Sequence, residues 1–378
     1  MRVPLLDLKA QLMTIREAVG QAVMEVIDST RYIMGPKVEE LEQGVAAYVG
    51  TEFAIGVSSG TDALLLSLTA LDVGPGDIVV TTPYSFFATA GVIARLNATP
   101  AFVDIDPDTY NMDPAALRDW FERETDKRDK VRAILPIHLY GQCADMDPIL
   151  EVAGAHGVPV IEDAAQAIGA QYPSKDGVKR AGSMGVAGCF SFFPSKNLGG
   201  VGDGGILVTN DASLAEKAVL LRNHGADRAY YHAMVGGNFR LDALQAAVLL
   251  VKLRHLESWH RMRQENAAYY DEHLCVAGIR KPHIAYARDH HIYNQYTVSV
   301  PERRDELRGH LAANDIGCQV YYPVPFHQQE CFRHLGYETG QFPNSEHAAQ
   351  HTIAIPIYPE LTTEMQDYVI EKFTEFYA

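Results

Sequence analysis

The chain is short of positive charge. Its 32 Lys and Arg stand against 48 Asp and Glu, a net −16, which argues against nucleic acid or an anionic membrane surface as the main partner. An anionic small molecule would need a local cup of donors. Cysteine is scarce too: the five present are an odd number and form no CxxC pair, which excludes a disulfide framework and reads as the reduced thiols of a cytoplasmic protein. No uncharged apolar run reaches the ~18 residues of a membrane span, and MRVPLLDLKAQ carries charge where a secretory signal would be apolar. A soluble cytoplasmic protein is expected. No cluster has metal-ligand spacing, so no metal is expected, and no repeat, low-complexity segment or linker is evident.

What is present is enough for a sizeable core. With 378 residues and 47% apolar content, one large domain plus a smaller one is predicted. Short apolar, β-branched runs (54–59, 77–84, 98–106, 132–141, 158–166, 188–193 and 205–210) alternate with helical stretches such as TDALLLSLTALDV and DMDPILEVAGAHG. Such alternation implies βαβ units and a mostly parallel, seven-stranded sheet with helices on both faces, an α/β fold. Ligands then gather at the carboxyl ends of the strands. From Leu241 to Leu274 the pattern predicts one long helical stretch, and the remainder mixes strand and helix. The expected division is a large domain over 1–250 and a smaller α+β domain over 251–378.

Four stretches carry candidate chemistry. GVGDGG (200–205) satisfies G-x-G-x-x-G, but it precedes the strand-like ILVTN instead of opening a helix, so it reads as a tight turn and not as a dinucleotide fingerprint. SSGTDALLL (58–66) runs from strand into helix. Free amides at such a helix start, the bare Gly60 and nearby hydroxyls would hold a phosphate, or the segment is a plain N-cap. VIEDAAQ (160–166) puts Asp163 at a strand end, where it could be an N-cap, a metal ligand or a charge partner. In SFFPSKNLGG (191–200), Lys196 is a loop charge, a phosphate-binding charge or a nucleophile.

Taken together the parts suit pyridoxal 5′-phosphate, which needs an anion site, a carboxylate for its ring nitrogen and an amine that forms a Schiff base. Phe86, in YSFFATA, is either core packing or the aromatic over the ring.

The sequence at this point resembles the DegT/DnrJ/StrS group of fold type I pyridoxal-phosphate enzymes, best known as nucleotide-sugar aminotransferases. The resemblance runs through YIMGPKVEELE (32–42), SSGTDAL, PYSFFATAG, VIEDAAQAIGA, GCFSFFPSKNLGG, LRNHG (221–225), GGNFRLDALQAA (236–247) and YYPVPFH (321–327) in order. It implies that Lys196 holds the cofactor, Asp163 pairs with its ring nitrogen, Gln166 binds its hydroxyl and Phe86 stacks on it. It also implies that Gly60, Thr61 and Ser191 bind the phosphate, and that Asn238 reaches it from a second subunit, so that a homodimer shares its active sites. Arg240, Tyr321, Tyr322 and His327 become substrate-side candidates, the last three supplied by the partner's small domain. Glycine stands at 237, where relatives are often aromatic.

By the same resemblance, an amino group passes from L-glutamate, leaving 2-oxoglutarate, through pyridoxamine phosphate to the C-3 ketone of a UDP- or dTDP-linked sugar. Amination at C-4 is the runner-up, and a non-catalytic regulatory homologue the third reading. That homologue would be expected to have lost part of the Lys196, Asp163 and Gln166 set, which is intact here.

Overall fold

A computed structural model describes all 378 residues. Seven strands form the central sheet. Its order runs Thr99–Phe102, Ile78–Thr81, Val131–Ile134, Ile161–Asp163, Ala187–Ser191, Gly205–Thr209 and Phe53–Val57, the third and fourth joined through the parallel bridges Ile134–Val160 and Ile137–Asp163. Six strands are parallel, while Gly205–Thr209 runs against both its neighbours.

The reason for these elements is burial on two faces. Strands 78–81, 205–209 and 161–163 are buried along their whole length, as expected where helices cover both sides of a sheet. A core of 41 buried residues lies on one face and one of 23 on the other. Gly60–Ala70 belongs to the smaller of these, with Leu64, Leu65, Leu66 and Leu68 all buried. A third core unites Tyr270, Tyr296, Ile353, Ile355 and Phe373 around the antiparallel pair Tyr296–Ser299 and Thr352–Ile355. It also takes in Val3, whose amide donates to Asp315.

The single helical stretch expected over 241–274 is in fact two helices, Ala243–Leu253 and Leu256–His273. The second is shared between cores, with Leu256 still in the large core and Trp259 beside Val248 of the first helix. Ala246, Ala247 and Leu249 pack into the large core, whereas Ala267 and Tyr270 pack into the C-terminal one. The helical hydrogen bonding is interrupted at Arg254–His255, although both residues keep right-handed helical backbone angles. The charged run 122–130 lies on the surface at the end of helix Pro114–Arg123. No helix is long and apolar enough to cross a membrane.

Candidate active site

Parallel strands deliver their carboxyl ends to one edge of the sheet, and a cavity of about 1120 Å³ opens there. Gly60, Thr61, Phe86, Asp163, Gln166, Ser191, Lys196, Tyr321 and Tyr322, all named from the sequence, line it. Reversed strand 205–209 contributes its amino end instead, which brings Asp203 and Gly204 to the same cavity.

At the anion end, strand 53–57 leads into Ser59, an extended N-cap whose hydroxyl accepts from the Asp62 amide at 3.0 Å. That hydroxyl also donates to the Asp62 carboxylate at 2.8 Å, so it is committed to the cap. The Gly60 and Thr61 amides, first in the helix, are the donors left facing the cavity without helical acceptors. Gly60 has to be glycine, since a Cβ there would lie 2.7 Å from the Cβ of Ser191. Glycine at 205 follows from the same crowding: a Cβ there would come within 2.4 Å of the Ser59 carbonyl. The glycine-rich run 200–205 is therefore a packing turn that feeds a strand.

Asp163 closes strand 161–163, 5% exposed, and accepts from the Thr89 hydroxyl at 2.8 Å and the Ala165 amide at 3.2 Å. Burial raises its pKa, against the pull of those bonds and of Lys196. Lys196 moves the other way: burial lowers its amine from 10.5 to about 8, with Asp163 opposing. At neutral pH a usable fraction of Lys196 is therefore uncharged and nucleophilic. Its loop is folded back on the sheet, with the Lys196 amide on the Phe193 carbonyl at 2.9 Å and the Gly200 amide on the Phe192 carbonyl at 2.7 Å.

Across the cavity, Phe86 is 58% exposed, with its ring centroid 6.2 Å from that of Tyr322. Gln166 bridges two layers, its Nε2 donating to the Tyr322 hydroxyl at 3.0 Å and its Oε1 accepting from the Tyr140 amide at 2.8 Å. Tyr84 ties this wall down by donating to the Tyr321 carbonyl at 2.6 Å. Glu162 faces the opposite side of its strand and accepts three amides, Gly182, Met184 and Gly185, besides His138. His138 and Glu162 are thus structural.

Three named residues lie off this cavity. Asn238 is exposed and pairs with Asn223, and Arg240 donates to the Asn223 side chain at 2.7 Å. His327 is buried, bonded to Glu346 at 3.0 Å and tilted against Phe342. Tyr321 and Tyr322, expected from a partner, line the cavity of their own chain.

Residues that the sequence reading passed over also line the cavity, among them Ser195, Gln295, Arg304, Arg308 and Gln319. Arg304 is held by the Ala349 and Thr352 carbonyls, while Arg308, one helical turn on, is exposed. The two arginines four apart in RDELR, just ahead of the YYP segment, are the only sequence signal for them.

A mostly parallel sheet with one reversed strand, carrying an amine, a buried carboxylate and a helix start at one edge, is the architecture of an α/β enzyme with a site for a small anionic ligand. The chain belongs to the DegT/DnrJ/EryC1/StrS aminotransferase family, which it matches over residues 13–374. It is 47% identical to a "pleiotropic regulatory protein" of Geobacillus stearothermophilus, over 100% of this chain and 99% of that one. It is 41% identical to a UDP-N-acetyl-3-dehydro-alpha-D-glucosamine 3-aminotransferase of Acidithiobacillus ferrooxidans, over 96% and 94%. The crystal structure of Streptomyces venezuelae DesV in complex with a ketimine intermediate superposes with a TM-score of 0.92, at 40% identity and over 99% and 98% of the two chains. The fold is accordingly that of the fold type I transferases.

Proposed function

We propose that this chain is a pyridoxal-phosphate-dependent aminotransferase that moves an amino group from L-glutamate to the C-3 ketone of a nucleotide-linked sugar. The observation that carries the reading is the convergence of Lys196, Asp163 and the Gly60 helix start on one cavity. These residues fit the cofactor: an amine lowered to about 8, a buried carboxylate, and amides at a helix start too crowded for any residue but glycine at 60. When bound, the cofactor carries the amino group between donor and acceptor and takes up the electron pair of a carbanion.

The chain's residues do the rest. Gly60, Thr61 and Ser191 would hold the phosphate, Phe86 would stack on the ring, and Gln166 would bind its hydroxyl. Asp163, held by Thr89 and Ala165, would pair with the ring nitrogen and keep a proton on it. Lys196 Nζ would hold the cofactor at rest and, once free, is the base placed to exchange protons with the donor's Cα and with the sugar carbon. Tyr321, Tyr322, Arg304 and Arg308 form the wall on which the anionic nucleotide sugar rests. Asn238 and Arg240, off their own cavity, serve the site of a second subunit in a homodimer.

Support for position 3 comes from the 3-aminotransferase relative. The test is to incubate the pyridoxamine-phosphate form with UDP- and dTDP-linked 3-keto and 4-keto sugars and follow the visible band of the cofactor. Recovery with 3-keto sugars is expected, and recovery with 4-keto sugars alone would transfer the assignment to C-4. The name of the Geobacillus relative favours a second reading, a regulatory protein on the same scaffold; a chain that binds cofactor yet turns over no sugar in that panel would be one.

A further inference from the structure

Lys252 is a buried lysine for which the chemistry above has no use. It sits in the last turn of helix Ala243–Leu253, only 5% exposed. No carboxylate pairs with it, and burial pulls its pKa down. A leucine or methionine would fill the same space without desolvating an ammonium. Its one hydrogen bond is 2.6 Å long and goes to the Gly199 carbonyl, three residues past Lys196.

That carbonyl belongs to a tightly closed loop. A Cβ at Gly199 would stand 2.3 Å from the Pro194 carbonyl oxygen, so the chain doubles back with no room for a side chain. Gln245, two turns before Lys252 on the same helix face, accepts from the Val201 amide at 2.9 Å. Its side chain also fills the space where a Cβ on Gly200 or Gly202 would go, 2.7 Å away in each case. On the other flank the Asn197 amide group donates to the Ile292 carbonyl at 3.0 Å. Helix 243–253 therefore grips the loop at one carbonyl and one amide, and Lys196 stands immediately ahead of these fixed points, next to the anchored Asn197.

We infer that Lys252 is a positioning residue: through the Gly199 carbonyl it fixes the 196–201 loop and so aims the Lys196 amine into the cavity beside Asp163. The inference rests on the reading of Lys196 as the reactive amine.

The test is Lys252→Met, which keeps length and apolar volume and removes the donor, set beside Leu249→Ala, a buried core truncation on the same helix. In the cofactor-free protein, amide exchange over 196–201 should quicken about tenfold or more in Lys252→Met and stay unchanged in Leu249→Ala at matched distance from Tm. In the loaded enzyme, kcat should fall about 10- to 100-fold with KM within about threefold. Lys252→Gln, shorter but still a donor, should fall between wild type and Lys252→Met on both readouts, and it carries the comparison if Lys252→Met does not fold. Wild-type exchange and kcat in Lys252→Met, or equal loop exchange in both variants, would overturn the inference. Borohydride reduction of the wild-type holoenzyme with mass spectrometry tests the parent reading separately: cofactor fixed elsewhere than on Lys196 defeats that reading and leaves the loop-exchange result standing.

Discussion

The floor and the wall of the cavity are built differently. Asp163, Ser191 and the Gly60 helix start are delivered by strand ends, so their positions follow from main-chain hydrogen bonding, and glycines at 60 and 205 let the backbones touch. Tyr321, Tyr322, Arg304 and Arg308 come instead from chain adjoining the C-terminal core, and Arg308 is an exposed side chain on the helix Arg304–Ala313. A floor set by backbone geometry suits proton transfer, where displacement of about 1 Å is felt. Under the proposed function, a wall of side chains lets the substrate change without disturbing that chemistry.

The sharpest break between the two is expected at Lys196. Lys196→Ala should lower transamination by at least about 1000-fold and remove the visible band of the bound cofactor. Asp163→Asn comes next, with kcat down about 100-fold and the band's pH titration displaced. Arg308→Ala should behave as a wall residue, raising KM for the nucleotide sugar about tenfold with kcat within threefold, as expected for loss of a charge-assisted hydrogen bond. A kcat effect there larger than the KM effect would erase the distinction.

The smallest effect is on the stability of the cofactor-free protein. Lys196 titrates at about 8 when folded against 10.5 ordinarily, so between those values the unfolded chain holds the extra proton. Stability should then rise with pH from about 8 to 10.5, and a denaturant titration of Lys196→Met should lack that rise.

Much of the floor could be read from the sequence because its chemistry depends on local elements. A Ser-Gly-Thr at a strand-to-helix junction, a carboxylate ending a strand and a lysine before two glycines each sit within a few residues of the backbone feature that needs them. The wall was less legible, since Arg304 and Arg308 reach the cavity only through the packing of helix 304–313. His327 stood in a recognisable segment, yet its partner Glu346 lies 19 residues on, and nothing local announces that pairing. Strand 205–209 was legible as a strand, but its direction is decided by the two neighbours it joins. The break at Arg254–His255 was hidden because both residues keep helical backbone angles and the leucines on either side, Leu253 and Leu256, pack with the same core.

The reversed strand has a consequence for engineering. Because it runs against its neighbours, Asn210 and the turn that follows lie on the rim away from the cavity, where Asn210 only caps the Glu52 amide at 2.8 Å. The sheet therefore has one rim given over to chemistry and another that only closes turns, and a reporter or tether fused at Asn210 stays clear of the cavity as long as Asp211 is kept as the cap on the Leu214 amide.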